Sequence, residues 1–172
     1  YISPLKALIN DQFQRISELS EYLDIPITRW HGEVSQTQKR KVVNQPKGIL
    51  LITPESIEGM LVNRPGEAEH LFKGVEWIII DELHSFLGTE RGIHLQSLLQ
   101  RISRFMQAPR FIAMSATLNK KDFGYAKAFF GSPRHTDILV DRVKNDLLIT
   151  IDYTSGESGP FVARESLEAI YQ

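Results

Sequence analysis

The sequence predicts an α/β fold in which helices pack on both faces of a mainly parallel β-sheet. Short, continuous apolar runs alternate along the chain with stretches of helical periodicity. Such runs are typical of strands that are buried on both faces, as in parallel sheets. Each main run also stops at a polar motif, and ligand sites of open α/β sheets lie beyond these carboxyl ends. With right-handed crossovers, the elements form a three-layer sandwich.

The N-terminal part is predicted to contain two strands and two helices. Tyr1-Ile2 is the end of a strand, and Pro4 suits the first position of a helix. That helix continues through six turns, in which apolar residues recur at helical spacing: Leu5, Leu8, Ile9, Phe13, Ile16, Leu19 and Leu23. A strand over 25–30 and a polar helix over 35–44 follow. The Lys39-Arg40-Lys41 run of that helix is typical of a solvated face.

Two further units begin with the continuous apolar strands 49–52 and 75–80. After the first strand, Thr53 is a suitable N-cap and Pro54 a suitable first residue of a helix, which we expect to close at 63–66. After the second strand, a loop leads into a helix with one apolar stripe: Leu95, Leu98, Leu99, Ile102, and Phe105 or Met106. We therefore predict that each of these two strands is followed by a helix that packs on the sheet.

The C-terminal part contains further elements, predicted over 110–114 (strand), 120–130 (helix), 138–140 and 147–152 (strands). Residues 154–160 have the composition of a linker, and 164–172 begin another helix. We therefore predict one domain over 1–152, followed over 153–172 by a linker and the start of a further domain.

Composition excludes several classes of protein. The chain has no cysteine, which excludes disulfides, thiolate zinc sites and iron–sulfur clusters. The formal net charge is −1, but an acidic centre (48–99, net −5) lies between basic segments (1–47, net +2; 100–144, net +6). No apolar run is long enough to span a bilayer, and no leader indicates export, so we expect a cytoplasmic protein without a membrane partner.

The strand at 75–80 stops at Asp81-Glu82-Leu83-His84. Two carboxylates at the end of a buried strand suit a hydrated Mg²⁺ ion and a water molecule to be activated, because hard oxygen ligands match this ion. The alternative is that the acids stabilise a helix N-terminus by offsetting its dipole. This strand alone does not decide between the two.

Four polar motifs follow successive strands: Ser3-Pro4-Leu5-Lys6-Ala7-Leu8, Thr53-Pro54-Glu55-Ser56, Asp81-Glu82-Leu83-His84 and Ser115-Ala116-Thr117. In this order and spacing, over residues 1–152, they resemble the first RecA-like motor domain of superfamily 2 helicases, which is a P-loop NTPase fold. The chain is most similar to the DExH branch, near the large-helicase-related and Ski2-like enzymes. Pro4 to Leu8 and Glu90-Arg91-Gly92 carry that closer resemblance.

The resemblance implies an ATP-dependent helicase or translocase that uses ATP and Mg²⁺. Asp81 would hold Mg²⁺ through its water shell, and Glu82 would orient and deprotonate the attacking water. His84 would couple this site to the element Ser115-Ala116-Thr117. The alternatives are that His84 is an ordinary loop histidine, and that Ser115 and Thr117 cap the next helix.

The resemblance also implies a face that binds DNA or RNA. It would be formed by Pro4, Lys6, His31-Gly32, Thr53 and Arg91, since backbone N–H groups and hydroxyls at helix N-termini suit phosphates without reading sequence. Gly32 would let a backbone approach closely. Alternatively, Thr53-Pro54 is only a helix cap and Lys6 a solvated charge.

One departure from the family is that no Gly-rich phosphate loop ending in Lys-Ser/Thr occurs in these residues. The first residue, Tyr1, also falls inside a predicted strand. We therefore expect an N-terminally truncated motor domain, inactive alone, whose parent chain carries a second RecA-like domain. Two rival functions stay open: a non-catalytic nucleic-acid or protein-interaction domain with a motor fold, and a metal-dependent nuclease using Asp81, Glu82 and His84.

Overall fold

The computed structural model describes residues 1–20, 22–130 and 136–140. Residues 1–138 form one compact unit. A second unit covers 139–172, of which only Leu139 and Val140 are described. The predicted domain boundary at 152 therefore lies outside the described residues, as do the predicted strand 147–152, the linker and the last helix.

Within the first unit, helices and strands alternate along the chain. Their bounds are α1 (Lys6–Ser20), β1 (Ile27–Trp30), α2 (Gln36–Asn44), β2 (Ile49–Ile52), α3 (Pro54–Asn63), α4 (Pro65–Phe72), β3 (Trp77–Ile80), α5 (Glu90–Ser103), β4 (Arg110–Ala113) and α6 (Phe123–Phe129). Short 3-10 turns over Leu83–Ser85 and Lys120–Asp122 complete the sequence. No helix among the described residues is long and apolar enough to cross a membrane.

The strands form a parallel sheet, as predicted. Strand β1 pairs with β2, and β3 pairs with β4, both in parallel. Ile2 joins the two pairs through parallel bridges to Ile52 and Ile80. The order across the sheet is therefore β1, β2, the Tyr1–Ser3 segment, β3 and β4, and Ser3, Thr53, Asp81 and Met114 all lie at its carboxyl edge.

The predicted local signals for a helix start are confirmed at α3. The Thr53 side chain accepts a hydrogen bond from Ser56 N at 3.3 Å, and Pro54 is the first residue of α3. Ser35 caps α2 in the same way, accepting from Gln38 N. Side-chain oxygens at these positions satisfy backbone N–H groups that have no partner within the helix.

Helix α1 is shorter than predicted. It begins two residues after Pro4 and ends at Ser20, and Leu19 and Leu23 are 70% and 66% exposed. Its 15 residues extend over roughly 22 Å, whereas a four-residue strand covers only about 13 Å. The apolar periodicity thus continues beyond the sheet surface that α1 can cover.

The predicted end of α3 is confirmed, since the helix ends at Asn63 with Arg64 as its C-cap. A further helix was missed: Pro65 starts α4, whose Ala68, Leu71 and Phe72 are buried. Proline suits the first turn of a helix as well as a stop, so the signal was ambiguous. The strand predicted over 138–140 is wrong, because residues 136–140 are described and contain no strand.

The core is built on α5 and β3. All four leucine and isoleucine positions of the predicted stripe are buried: Leu95, Leu98, Leu99 and Ile102. Glu58 of α3 ties that helix to α5 by accepting from Arg101 Nη1 at 2.7 Å and lying 3.0 Å from His94 Nε2. These hydrogen bonds lower the pKa of the Glu58 carboxyl.

Strand β4 differs from the expectation of burial on both faces. Phe111 and Ile112 are 38% and 42% exposed, and within the described residues β4 pairs only with β3. Arg110 lies over the Trp77 ring at 5.1 Å from its centroid, which covers part of the strand start. In the described part of the chain, β4 is therefore an edge strand with apolar residues on its surface.

Candidate functional site

The carboxyl edge of the sheet brings the four predicted motifs together. Asp81 N donates to Ile2 O at 2.9 Å, which places the acidic motif directly beside Ser3. On the other side, Leu83 N donates to Met114 O at 2.9 Å, one residue before Ser115. Because β3 and β4 are neighbours, Asp81 and Ser115 follow adjacent strands.

The acidic pair lies in a tight turn. Asp81 is buried, and its Oδ1 accepts from Glu82 N at 3.0 Å. Glu82 has φ 49° and ψ 49°, a left-handed conformation that is uncommon for a residue with a Cβ atom. Such strain is typical of functional sites. The chain therefore leaves the strand immediately after Asp81, and no α-helix begins there whose dipole the acids could offset.

His84 connects the acidic pair with the next motif. Its Nδ1 lies 3.1 Å from Glu82 Oε2 and 3.0 Å from Ser115 Oγ. The hydrogen bond of this nitrogen is to Ser115, since Glu82 Oε2 has no hydrogen-bond partner and lies only at ion-pair distance. The contact between His84 and the Ser115 element, expected from the resemblance, is present in the structure.

Ser115 and Thr117 do not cap the following helix. The N-cap positions of the 3-10 turn and of α6 are Asn119 and Asp122. Ala116 and Thr117 are exposed, and Ser115 is partly buried at the His84 contact. The capping alternative for this motif is therefore wrong.

Tyr1 lies near the acidic motif, a placement that sequence reasoning missed. Burial, with the nearby Asp81 and Glu82 carboxylates, raises the pKa of its phenol, so the hydroxyl stays protonated beside the acids. The signal that could have found it is the sheet order, since the Tyr1–Ser3 segment lies next to β3. No local sequence pattern predicts the order of the strands across the sheet.

Asp81 is the residue that fits a magnesium ion. Mg²⁺ in nucleotide sites takes one or two protein carboxylates and fills its remaining positions with water and phosphate oxygens. A buried aspartate with one oxygen held by Glu82 N suits this role. No group of three or more histidine, aspartate or glutamate residues that could hold a metal occurs in the described ranges.

Most of the residues predicted to bind nucleic acid lie at the carboxyl ends of β1, β2 and the Tyr1–Ser3 segment. Pro4 and Thr53 are buried at the starts of α1 and α3. The Thr53 hydroxyl is engaged within α3, since it also donates to Ser56 Oγ at 3.0 Å. The capping alternative for Thr53 is thus correct for its side chain, and any contact of this helix start with phosphate would use backbone N–H groups.

His31 and Gly32 follow β1. His31 is buried with both ring nitrogens lacking a hydrogen-bond partner, and burial lowers its pKa, which favours the neutral ring. Gly32 is exposed, and a Cβ atom there would meet no atom within 4 Å. Nothing in the described chain itself therefore requires a glycine at this position.

Both basic side chains of this edge are paired with acids. Lys6 Nζ lies 3.1 Å from Glu33 Oε1, with both side chains exposed. Arg91 Nε and Nη2 donate to Glu55 Oε1 at 2.9 and 2.6 Å, and Nη2 donates to Pro4 O at 2.5 Å. Lys6 is therefore not an isolated solvated charge, and Arg91 makes intramolecular contacts.

Comparison with known proteins identifies similar sequences. A family model described as DEAD/DEAH box helicase matches residues 1–123. The chain is 32% identical to ATP-dependent helicase Lhr-Core protein 2 of Thermococcus barophilus, over 92% of this chain and 21% of that protein. It is also 32% identical to Lhr helicase/uracil glycosylase of Escherichia coli, over 81% of this chain and 10% of that protein.

Solved helicase structures have a fold similar to that of this chain. Helicase Lhr of Mycobacterium smegmatis bound to ssDNA and AMP-PNP has 27% identity and a TM-score of 0.59, over 69% of this chain and 17% of that one. DUF1998 helicase MrfA bound to DNA and AMPPNP has a TM-score of 0.65 at 24% identity, over 77% and 19%. The chain thus spans about a fifth or less of these proteins.

Proposed function

The chain belongs to the DEAD/DEAH box helicase family, and from this premise we propose that it is part of an ATP-dependent helicase or translocase that moves along or unwinds DNA or RNA. Its α/β fold is that of a RecA-like motor domain. A second RecA-like domain and a phosphate-binding loop, which these residues do not contain, complete the proposed motor. Its substrates, ATP and nucleic acid, favour a cytoplasmic location.

The observation that carries the proposal is the contact of His84 Nδ1 with both Glu82 Oε2 and Ser115 Oγ. A motor has to link hydrolysis to movement, so the group that handles the attacking water needs a physical connection to a neighbouring element. His84 provides this connection across two adjacent strands. A domain that only binds nucleic acid would have no need of it.

The residues of the acidic motif then have separate tasks. When bound, Mg²⁺ neutralises charge on the phosphates, and Asp81 would hold it through water. Glu82 would accept a proton from the attacking water, which requires a carboxylate within hydrogen-bond reach. His84 and Ser115 would couple a change at Glu82 during hydrolysis to a movement of the element Ser115-Ala116-Thr117.

The nucleic-acid face would be formed by the starts of α1 and α3 with the loop after β1, at Pro4, Lys6, His31, Gly32 and Thr53. Helix N-termini present free backbone N–H groups and a partial positive charge to phosphates. The open space at Gly32 would admit the sugar–phosphate backbone. Contacts of this kind position a strand without reading its sequence.

The proposal is tested with Glu82→Gln in the full motor, meaning a polypeptide that joins this chain to a phosphate-binding loop and a second RecA-like domain. Glutamine keeps the size of the side chain and removes the base. We expect steady-state ATP hydrolysis to fall by about 100-fold or more, with ATP and nucleic-acid affinities nearly unchanged. Glu90→Gln, in the exposed first turn of α5, is the matched control and should hydrolyse ATP normally. Unchanged turnover in Glu82→Gln would overturn the assignment.

A further inference from the structure

We propose that Arg91 is a positioning residue, which ties the segment after the acidic motif to the two helix starts of the nucleic-acid face. The inference rests on the proposed function and deepens it. It gives Arg91 a role other than contact with phosphate, and it identifies Glu55 as the residue through which Arg91 acts.

One end of the connection is the nucleic-acid face. The guanidinium of Arg91 makes three hydrogen bonds: two to Glu55 Oε1 in the first turn of α3, and one to the carbonyl oxygen of Pro4 just before α1. Glu55 and Pro4 are 36 and 87 residues away in sequence. The Nε and Nη2 donors of the guanidinium fork converge on one carboxylate oxygen of Glu55, and hydrogen bonds between charged groups are shorter and stronger than neutral ones. Arg91 therefore sets the separation between the starts of α1 and α3.

The other end of the connection is Phe86, two residues after His84. The Phe86 side chain is fully buried, and Arg91 Cζ lies 5.7 Å from the centroid of its ring. Thr89 Oγ1 donates to Phe86 O at 2.9 Å. A Cβ atom on Gly92 would overlap the same carbonyl group. The first turn of α5 therefore packs directly on Phe86: the side chains of Thr89 and Arg91 contact it, and no room is left for a side chain at Gly92.

The same contacts argue against a phosphate role. The positive charge of Arg91 is already paired with Glu55, and the carboxylate of Glu55 would repel a phosphate placed beside it. An exposed, unpaired arginine would be the usual phosphate ligand. A displacement of the turn at 83–86 would instead move Phe86, the start of α5 and Arg91 together, and with them Pro4 and Glu55.

The experiment compares Arg91→Gln, Glu55→Ala and Arg91→Lys in the full motor. Arg15→Gln is the control, because Arg15 makes an exposed pair with Asp11 on α1 at 3.2 Å. The readouts are the ratio of nucleic-acid-stimulated to basal ATP hydrolysis, and the slope of log Kd against log salt for nucleic acid. Thermal melting of each variant separates loss of fold from loss of coupling, and Glu55→Ala alters only a half-exposed side chain.

A positioning role predicts that Arg91→Gln and Glu55→Ala each lower the stimulation ratio by about threefold to tenfold. The double variant should lose no more than either single one, since both break the same connection. Arg91→Lys should also fail, because an ammonium cannot reproduce the fork. The salt slope should stay unchanged in all variants, and Arg15→Gln should behave as wild type.

Two results would overturn the inference, and they are distinguishable. If Arg91 binds phosphate, Arg91→Gln lowers the salt slope by about one, Arg91→Lys restores it, and Glu55→Ala keeps full stimulation. In that case the proposed function stands and only the positioning role fails. If nucleic acid does not stimulate the wild-type motor at all, the proposed function fails, and the inference with it.

Discussion

At the scale of single residues, the Lys6–Glu33 pair shows how a neighbouring acid limits the availability of a basic side chain for binding phosphate. The pair joins the start of α1 to the loop after β1, and Lys6 holds the pKa of the Glu33 carboxyl below its usual value. Glu33 therefore stays ionised at neutral pH and competes with phosphate for Lys6. In the unbound chain, this part of the proposed face carries no net charge from the two residues.

This competition predicts that Glu33→Gln tightens nucleic-acid binding by the full motor. Removing the carboxylate frees Lys6 for one further phosphate, so the affinity at low salt should rise about twofold or more and the salt slope should become steeper. Lys6→Gln should have the opposite effect. Fluorescence anisotropy over a salt series measures both quantities.

Glu67→Gln is the matched control for Glu33→Gln, because Glu67 in the first turn of α4 makes a similar pair with Arg64, the residue before that helix. It changes net charge by the same amount at a place outside the predicted face. Equal tightening in both variants would mean that only net charge matters, and would contradict a specific role for Lys6.

At the scale of elements, the fit of α5 on the turn after the acidic motif decides where Arg91 lies. Gly92 is in the first turn of α5, and there is no room for a side chain between it and the Phe86 carbonyl. The helix stripe then fixes the rotation of α5 by burying Leu95, Leu98 and Leu99. Together, the packing of the apolar stripe and the close contact at Gly92 thus specify a single orientation of α5.

Gly92→Ala should destabilise the chain by about 1–3 kcal/mol, since the added methyl group forces α5 away from Phe86. Gly59→Ala is the control within a helix: a Cβ atom there meets no atom within 4 Å. That substitution should be neutral or stabilise α3 by up to about 1 kcal/mol. Urea unfolding with an unchanged m-value measures both changes, and similar results for the two variants would rule out the close contact.

At the scale of the whole molecule, the acidic motif is assembled but a phosphate cradle is not part of these residues. The sequence contains no loop of the Gly-rich type ending in Lys-Ser/Thr. Asp81 and Glu82 on their own repel a triphosphate, and the paired Lys6 and Arg91 add no free positive charge nearby. These residues therefore supply carboxylates without the Gly-rich loop that would neutralise a triphosphate.

It follows that residues 1–172 alone should bind ATP–Mg²⁺ no better than millimolar, about −4 kcal/mol, without hydrolysis stimulated by nucleic acid. Calorimetry on the purified chain with ATP and Mg²⁺ up to about 1 mM tests this. A titration without Mg²⁺ is the control for binding that does not involve the metal. Saturation in the micromolar range would show that the phosphate site lies within this chain.

The sequence by itself determined the order of strands and helices up to α6, except for α4, as well as the position of each motif at a strand end and the cap at Thr53. These features depend on local composition and period, because a buried parallel strand needs a continuous apolar run and a helix start needs a side-chain acceptor. The family resemblance rested on the same local motifs. The start of α4 at Pro65 was missed because proline serves both a helix start and a stop.

Only the tertiary structure decided which side chains meet, apart from the contact of His84 with the Ser115 element, which the family resemblance implied. The partners of Lys6, Arg91 and His84 lie 27, 36 and 31 residues away in sequence, with Pro4 at 87 residues from Arg91. The order of strands across the sheet and the path of each crossover bring them together, and no local pattern encodes either. The exposure of β4 has the same origin, since it depends on which strands lie beside it.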